Sequence, residues 1–106
     1  MRSKSEHRLQ SQTIEYLSYK KFMVWRNNTG AIPQYYKGVK RLIRFGKVGS
    51  GDIFALKNGV FYSVEVKSPK GSPTLKQLEW IDEVNRNGGK AFIIKSLSDL
   101  VENLNE

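Results

Sequence analysis

Asn58-Gly59 stands between two runs of β-forming residues, 52–57 and 60–67, and it constrains the fold more than any other feature of the chain. An Asn-Gly dipeptide in this setting predicts a β-hairpin closed by a two-residue type I′ turn, because both turn positions need a positive φ. A turn of that length also fixes which residues of the two strands face each other.

The predicted register brings three charged side chains together. Lys57 pairs with Val60, and counting away from the turn places Asp52 directly opposite Glu65. Directly opposed residues have Cβ atoms about 4.5–5.5 Å apart on one face of a sheet. Lys67 follows Glu65 by two residues, so it projects from the same face, because side chains alternate along a strand.

Two neighbouring carboxylates repel each other unless a cation compensates. Mg²⁺ can do so, since it binds one or two carboxylates together with water and substrate phosphate. Such an ion activates water and polarises a phosphoryl oxygen, and a nearby ammonium such as that of Lys67 can orient or deprotonate the attacking water. The alternative is an ordinary ion pair between Lys67 and Asp52 or Glu65 on a solvated sheet face.

The rest of the sequence predicts helices on either side of this hairpin. Ser3 and Glu6 fit the N-cap and N3 positions of a capping box. In chain order the pattern predicts a helix over 4–20, a strand over 22–26, a loop over 27–38, a short strand over 41–45, a helix over 74–87, a buried strand over 91–95 and a last helix capped by Ser98 and ending at Leu104. This order is typical of an α/β domain with a mixed sheet, in which the strand over 91–95 arrives by a helical crossover and runs parallel to a neighbour.

Charge is distributed unevenly along the 106 residues. The net charge is +8, and no Asp or Glu occurs between Tyr16 and Gly51. A one-sided basic segment favours a polyanionic partner, because neutralising phosphates releases counterions. A solvated basic surface that only aids solubility is the alternative.

Aromatic and basic residues alternate within the segment 34–41, where tyrosines could stack on bases and cations could bind phosphate. The same segment could instead form a hydrophobic lid with solvated lysines. The nucleic-acid-binding candidates are Arg26, Tyr35, Tyr36, Lys37, Lys40, Arg41, Arg44, Lys47 and Lys70.

Several classes are excluded by composition. The absence of cysteine rules out disulfides, thiolate zinc sites and cysteine nucleophiles. No apolar run approaches the roughly 18 residues that span a bilayer, and residues 1–7 lack the apolar segment of a secretory signal. A cytoplasmic location is therefore expected.

The three charged residues and their surroundings resemble those of a known nuclease family. Asp52 followed by Glu65-Val66-Lys67 has the Asp…Glu-X-Lys layout of the PD-(D/E)XK nuclease superfamily. In the family's order and spacing, from about Ser5 to Leu104, the chain looks like a stand-alone VRR-NUC (virus-type replication-repair nuclease) domain of phages and bacteria. The further matching features are Ser5-Glu6, Trp25-Arg26-Asn27-Asn28-Thr29-Gly30, Gly49-Ser50-Gly51-Asp52, Ser68-Pro69-Lys70-Gly71, Gln77 and Gly88-Gly89.

The resemblance implies a restriction-endonuclease-like core, with residues 1–106 forming a single VRR-NUC-type nuclease domain of a bacterium or of a phage-infected cell. It implies a phosphodiesterase that uses Mg²⁺ or Mn²⁺. Asp52 and Glu65 would bind the metal together with the Val66 carbonyl, Glu6 would be an accessory acid beside the metal, Lys67 would be the catalytic lysine, and Gln77 would face the site from its helix. Gly51 stands where the superfamily nominally has Pro.

The resemblance also bears on the substrate and the assembly. Small members of the family resemble junction-resolving enzymes and act as homodimers on branched DNA such as four-way (Holliday) junctions. A homodimeric endonuclease for branched DNA is therefore expected here, with RNA as another possible substrate. The contrasting hypothesis is a non-catalytic, basic nucleic-acid-binding module in which the acids only form ion pairs.

Overall fold

The computed structural model describes residues 3–105. Its elements are α1 (Lys4–Tyr19), β1 (Met23–Arg26), β2 (Gly30–Tyr36), β3 (Val39–Phe45), β4 (Ile53–Lys57), β5 (Val60–Val66), α2 (Leu75–Arg86), β6 (Lys90–Ile94) and α3 (Leu97–Leu104). Four strands form a mixed sheet in the order β1-β4-β5-β6, with only the β5–β6 pair parallel. The expected mixed α/β architecture and the parallel last strand are confirmed.

Helices cover both faces of this sheet. Leu17 of α1 and Leu100 of α3 are fully buried against Ile53 and Val64 of the central strands. On the other face α2 places Trp80 against the ring of Phe54. Alternate residues of β4 and β5 therefore face two different helical layers, and polar side chains on the α2 side lie beneath a helix. Within residues 3–105 no helix is long and apolar enough to cross a membrane.

The Asn58-Gly59 hairpin forms as predicted over most of its length. Asn58 has a φ of 52° and Gly59 a φ of 81°, as a type I′ turn requires. Strand pairing runs from Lys57 opposite Val60 to Ile53 opposite Val64. The sequence register is therefore confirmed for residues 53–57.

The register changes at Asp52. Its backbone amide donates to the Val64 carbonyl at 2.9 Å, although Val64 already pairs with Ile53. Two consecutive residues thus face one residue of the opposite strand, as in a β-bulge. The expectation that Asp52 lies directly opposite Glu65 is wrong, because the bulge displaces Asp52 by one residue and redirects its side chain.

The predicted loop over 27–38 is also wrong for most of its length. Residues Gly30–Tyr36 form a strand that pairs with Val39–Phe45 in a separate two-stranded sheet. Lys37 and Gly38 close it with φ values of 49° and 77°, which makes a second two-residue turn of the same kind. Pro33 suggests a loop, but a two-stranded ribbon consists only of edge strands, where proline is tolerated.

The last helix begins earlier than expected. Its N-cap is Ser96, whose hydroxyl accepts from the Asp99 amide at 3.1 Å, so Ser98 lies inside the first turn. The Asp99 carboxylate accepts from the Lys95 amide at 2.8 Å and satisfies another donor at this helix start. These reciprocal bonds explain why Ser96 and not Ser98 is the cap.

Candidate active site

Asp52 is fixed by a hydrogen bond that replaces part of the strand ladder. Its Oδ2 accepts from the backbone amide of Val66, the last residue of β5, at 2.7 Å. A main-chain donor is a rigid partner, so this bond holds the carboxylate beside the end of β5. The bulge therefore brings Asp52 to the same end of the sheet as Glu65 by a route that strand pairing alone does not provide.

Asn27 holds the segment that leads into Asp52. Its backbone amide donates to the Asp52 carbonyl at 2.9 Å. Its side-chain Nδ2 donates to the Gly51 carbonyl and to the Ser50 hydroxyl, both at 2.7 Å. Three bonds from one residue after β1 thus fix the backbone of residues 50–52. The sequence indicates Asn27 only as part of a matching segment, without this role.

Glu65 lies in the middle of the layered fold. Only 3% of the residue is exposed, and Lys67 Nζ lies 3.7 Å from its Oε1. The Lys67 amide donates to the Ile94 carbonyl at 3.0 Å, which continues the parallel ladder. The prediction that Glu65 and Lys67 share a face is confirmed, and this face is covered, unlike the solvated face of the ion-pair alternative.

Gln77 reaches Glu65 from α2. Its Nε2 donates to Glu65 Oε1 at 2.7 Å. Its Oε1 accepts from the Thr74 amide at 2.8 Å, while the Thr74 hydroxyl accepts from the Gln77 amide at 3.2 Å. Because the capping box engages the amide oxygen, the NH₂ group has to point towards the carboxylate. Thr-X-X-Gln is a readable cap signal, and it sets the orientation of Gln77.

Glu6 lies in the first turn of α1. Its amide donates to the Ser3 hydroxyl at 3.2 Å, and that hydroxyl lies 3.4 Å from Glu6 Oε1. Among residues 3–105 no three or more acidic or histidine side chains form a group that could hold a metal. The structure thus does not bring Glu6 into a three-carboxylate cluster with Asp52 and Glu65, and its role beside a metal stays a prediction.

α1 instead contributes Gln10, which the sequence did not single out. Gln10 is 7% exposed, and its Oε1 accepts from Arg26 Nη1 at 2.7 Å. Arg26 Nη2 also lies 3.4 Å from the Ser11 hydroxyl. A buried amide therefore orients the guanidinium at the end of β1.

Arg26 and Asp52 line one polar cavity of about 270 Å³. His7, Gln10, Asn27, Asn28 and Thr29 complete its walls. A cation and several neutral donors beside a carboxylate suit an anionic group better than an apolar one. A larger cavity of about 660 Å³ lies at the turn end of the hairpin and is lined by none of the predicted site residues.

The other predicted nucleic-acid contacts fall in two places. Six of them lie on the two-stranded ribbon, where every residue of both strands is exposed: Tyr35, Tyr36, Lys37, Lys40, Arg41 and Arg44. Lys47 lies instead over the Trp80 ring at 5.5 Å and 3.8 Å from Glu83. Lys70 is exposed in the loop after β5.

The donor set fits a hard divalent cation. Asp52, Glu65 and the Val66 carbonyl offer only oxygen ligands, which Mg²⁺ and Mn²⁺ prefer. Asp52 and Glu65 lie at the same end of the sheet, where Val66 ends β5. These groups would hold the ion, with water and substrate completing the shell, as is usual for Mg²⁺.

Comparison with known proteins bears on the fold. No family model and no curated protein matches the sequence. A solved structure described as a VRR_NUC domain is 21% identical and superposes with a TM-score of 0.68, over 98% of this chain and 100% of the other. An alignment of that extent covers the sheet, the three helices and the ribbon together. The resemblance found in the sequence is supported, and the chain has the fold of a VRR-NUC domain.

Proposed function

We propose that the protein is a metal-dependent endonuclease that hydrolyses DNA phosphodiester bonds, with an active site formed by Asp52, Glu65 and Lys67. The observation that carries this proposal is the buried Glu65, held at 2.7 Å by Gln77 and at 3.7 Å from Lys67. A buried carboxylate is expensive to desolvate, and a single ion pair often fails to offset that cost. The burial of Glu65 is therefore better explained by a role in catalysis than by a contribution to the stability of the fold.

Each residue has a distinct part in the proposed reaction. Asp52, Glu65 and the Val66 carbonyl would hold Mg²⁺ or Mn²⁺, with Glu6 as an accessory acid. Such an ion supplies neutralising charge for the phosphate and acidifies water. The Lys67 ammonium lies on the same face, where it can hold the attacking water and stabilise negative charge that develops on the phosphate. Gln77 keeps Glu65 in position.

Branched DNA is the substrate we favour, with four-way junctions among the structures to be tested. Support comes from the family resemblance and from the basic ribbon, which extends the binding surface beyond the site. Symmetric cutting of a junction needs two sites related by a two-fold axis, so the proposed enzyme acts as a homodimer. An RNA substrate would use the same chemistry and is distinguished by the test below.

The competing function is a basic nucleic-acid-binding module without catalysis. It treats Glu65 as an ion-pair partner of Lys67 on a solvated face. The 3% exposure of Glu65 and the amide aimed at it from α2 argue against that account. Exposed ion pairs are common, but a buried carboxylate with a dedicated donor is a typical feature of a functional site.

A cleavage panel tests the function. Single-stranded, duplex, flap, splayed and four-way DNA, and a matched RNA set, are incubated with and without Mn²⁺. We expect metal-dependent cleavage of branched DNA, and calorimetric binding of Mn²⁺ that is lost in Asp52→Asn. The Asn variant keeps an oxygen that can accept from the Val66 amide, so the backbone stays in place. Tight DNA binding with neither cleavage nor Mn²⁺ uptake would instead establish the non-catalytic module.

Arg26 is expected to bind a substrate phosphate beside Asp52. Arg26→Ala should weaken DNA binding several-fold and lower the slope of log Kd against log salt by about one, the amount for one phosphate contact. Fluorescence anisotropy at several salt concentrations measures both. Arg86→Ala removes an equal charge from an exposed residue that is paired with Asp82 at 2.9 Å, and it serves as the matched control. Equal slopes for the two variants would contradict the Arg26 contact.

A further inference from the structure

We call the ribbon formed by β2, β3 and the Lys37-Gly38 turn the arm. All residues of both strands are exposed, and the molecule measures 54 × 31 × 26 Å, elongated for its size. An isolated two-stranded hairpin is marginally stable in water and needs a surface to pack against. The arm therefore lacks the packing that would stabilise it within one chain.

The two faces of the arm differ in chemistry. Cross-strand partners share a face, and side chains alternate along each strand. The pairs Ile32–Ile43 and Tyr36–Val39 therefore lie on the same side as Phe45. These five residues are 40–61% exposed and form the apolar face of the arm. Arg41 and Gln34 are its polar members. The opposite face carries Lys40 and Arg44 together with Tyr35, Leu42, Pro33 and Ala31.

A second apolar surface lies on the main sheet. Met23 pairs with Leu56, and Trp25 pairs with Phe54, so all four lie on the face that α2 covers. However, α2 packs over the β5–β6 side and leaves the β1 edge open. Met23, Trp25 and Leu56 remain 65%, 40% and 38% exposed. They form what we call the sheet patch.

We propose that a second copy of this chain covers both surfaces, with the apolar face of each arm packed on the sheet patch of the other copy. Contiguous exposed apolar surface of this kind usually marks a protein interface. Nucleic acid is the less suitable occupant of this face, since Arg41 is the one cation among its strand residues, whereas Lys40 and Arg44 lie on the opposite face. That opposite face stays accessible to DNA in the dimer.

The areas are consistent with a dimer of modest affinity. A face of seven residue pairs measures roughly 24 Å by 10 Å. Two arm faces and the two sheet patches that they cover would bury roughly 1,000 Å² in total, near the lower limit for a specific interface. Either surface alone is too small. Exchange of arms between two copies doubles the buried area by symmetry.

The charge of the chain gives the dimer a distinctive salt dependence. Each copy carries a net charge of +8, so two copies repel each other. Salt screens that repulsion and should strengthen association through apolar faces. Binding of DNA to the same arm would respond in the opposite direction, because salt weakens phosphate contacts.

The test compares two neighbouring substitutions on opposite faces of β3. Ile43→Lys places a charge on the apolar face, whereas Leu42→Lys places the same charge on the other face, at a residue that is 55% exposed. Sedimentation of the whole chain over a micromolar concentration range should show a dimer that Ile43→Lys weakens at least about tenfold. Leu42→Lys should leave the dimer intact, and higher salt should strengthen it. Circular dichroism checks that each variant is folded.

Several results would overturn the proposal. One is a wild-type chain that stays monomeric. Another is an Ile43→Lys protein that dimerises as well as the wild type. The third is equal weakening of the dimer by Ile43→Lys and Leu42→Lys. A second measurement addresses the sheet patch. Because the chain has no cysteine, Met23→Cys and Ile43→Cys proteins can be mixed and treated with a short bismaleimide. Cross-linking in the mixture well above that of either protein alone is expected, and its absence would refute this contact.

The inference deepens the homodimer of the proposed function, and to that extent rests on it. Association is read by sedimentation and cross-linking, whereas the proposed chemistry is read by cleavage. An inactive protein that forms the arm-exchanged dimer would therefore contradict only the nuclease. An active monomer would contradict only the arm contact.

Discussion

Glu65→Gln is expected to reduce metal-dependent DNA cleavage by at least about a thousandfold, equivalent to roughly 4 kcal/mol of barrier. The substitution keeps the size of the side chain but removes the negative charge that would hold a divalent cation. Gln77 can still donate to the remaining carbonyl oxygen, so the local packing should persist. Initial rates on the preferred branched substrate, with Mg²⁺ and with Mn²⁺, measure the effect.

A matched control separates catalysis from general charge effects. Glu79→Gln makes the same change on α2, where the Glu79 side chain is 55% exposed and 3.9 Å from Lys76. It should cleave at the wild-type rate, and both variants should bind DNA at least as well as the unmodified protein. Glu65→Gln cutting at the wild-type rate with Mg²⁺ would show that the site has been wrongly assigned.

Gly51→Ala is expected to lower the free energy of unfolding by about 1–3 kcal/mol, the usual cost of forcing extra volume into a packed site. A Cβ at this position would collide with Ser63 Oγ and lie 3.0 Å from the Val64 carbonyl oxygen. Ser63 is buried and accepts from the Trp80 indole at 2.9 Å, so it cannot move without cost. Urea unfolding measures the stability.

The same substitution should reduce cleavage, because residue 51 directly precedes Asp52 in the bulge. Gly71→Ala is the control, since its Cβ would approach Ser68 Oγ only to 3.2 Å in the loop after β5. Adding Ser63→Ala to Gly51→Ala removes the hydroxyl that collides, so the pair of substitutions should cost less than the sum of the two. If the losses in free energy of unfolding were strictly additive, the collision with Ser63 Oγ would not be the cause of the destabilisation.

Gly51 also explains a departure noted in the sequence. Gly51, which has no side chain, stands where the superfamily that the chain resembles nominally has proline. In this structure the position lies against Ser63 and Val64, where there is no space for a side chain. The absence of a side chain at Gly51 therefore allows close backbone contact with β5.

Local rules predicted the elements that depend on a few adjacent residues. The turn chemistry of Asn58-Gly59 gave the hairpin and its register over residues 53–57. The two-residue period of strands placed Lys67 on the face of Glu65. The same kind of rule could have found the arm, because Lys37-Gly38 adopts the positive φ values of a second such turn. Pro33 obscured that signal.

Contacts between distant residues were beyond those rules. The bulge at Asp52 depends on Asn27, which lies 25 positions earlier and binds its carbonyl. The approach of Gln77 to Glu65 depends on how α2 packs across the sheet. Gln10 becomes significant only because α1 brings it within 2.7 Å of Arg26. Helix–sheet packing decides all three, and no local sequence pattern encodes it.

The sequence alone thus indicated Asp52, Glu65 and Lys67 as candidate site residues, and strand alternation, which acts over a few residues, placed Glu65 and Lys67 on one face. Tertiary structure decided the shift of Asp52 out of register, the burial of Glu65 beneath α2 and the exposure of the arm. These features depend on which surfaces remain after helices have packed on the sheet. They are properties of the assembled layers and not of any one segment.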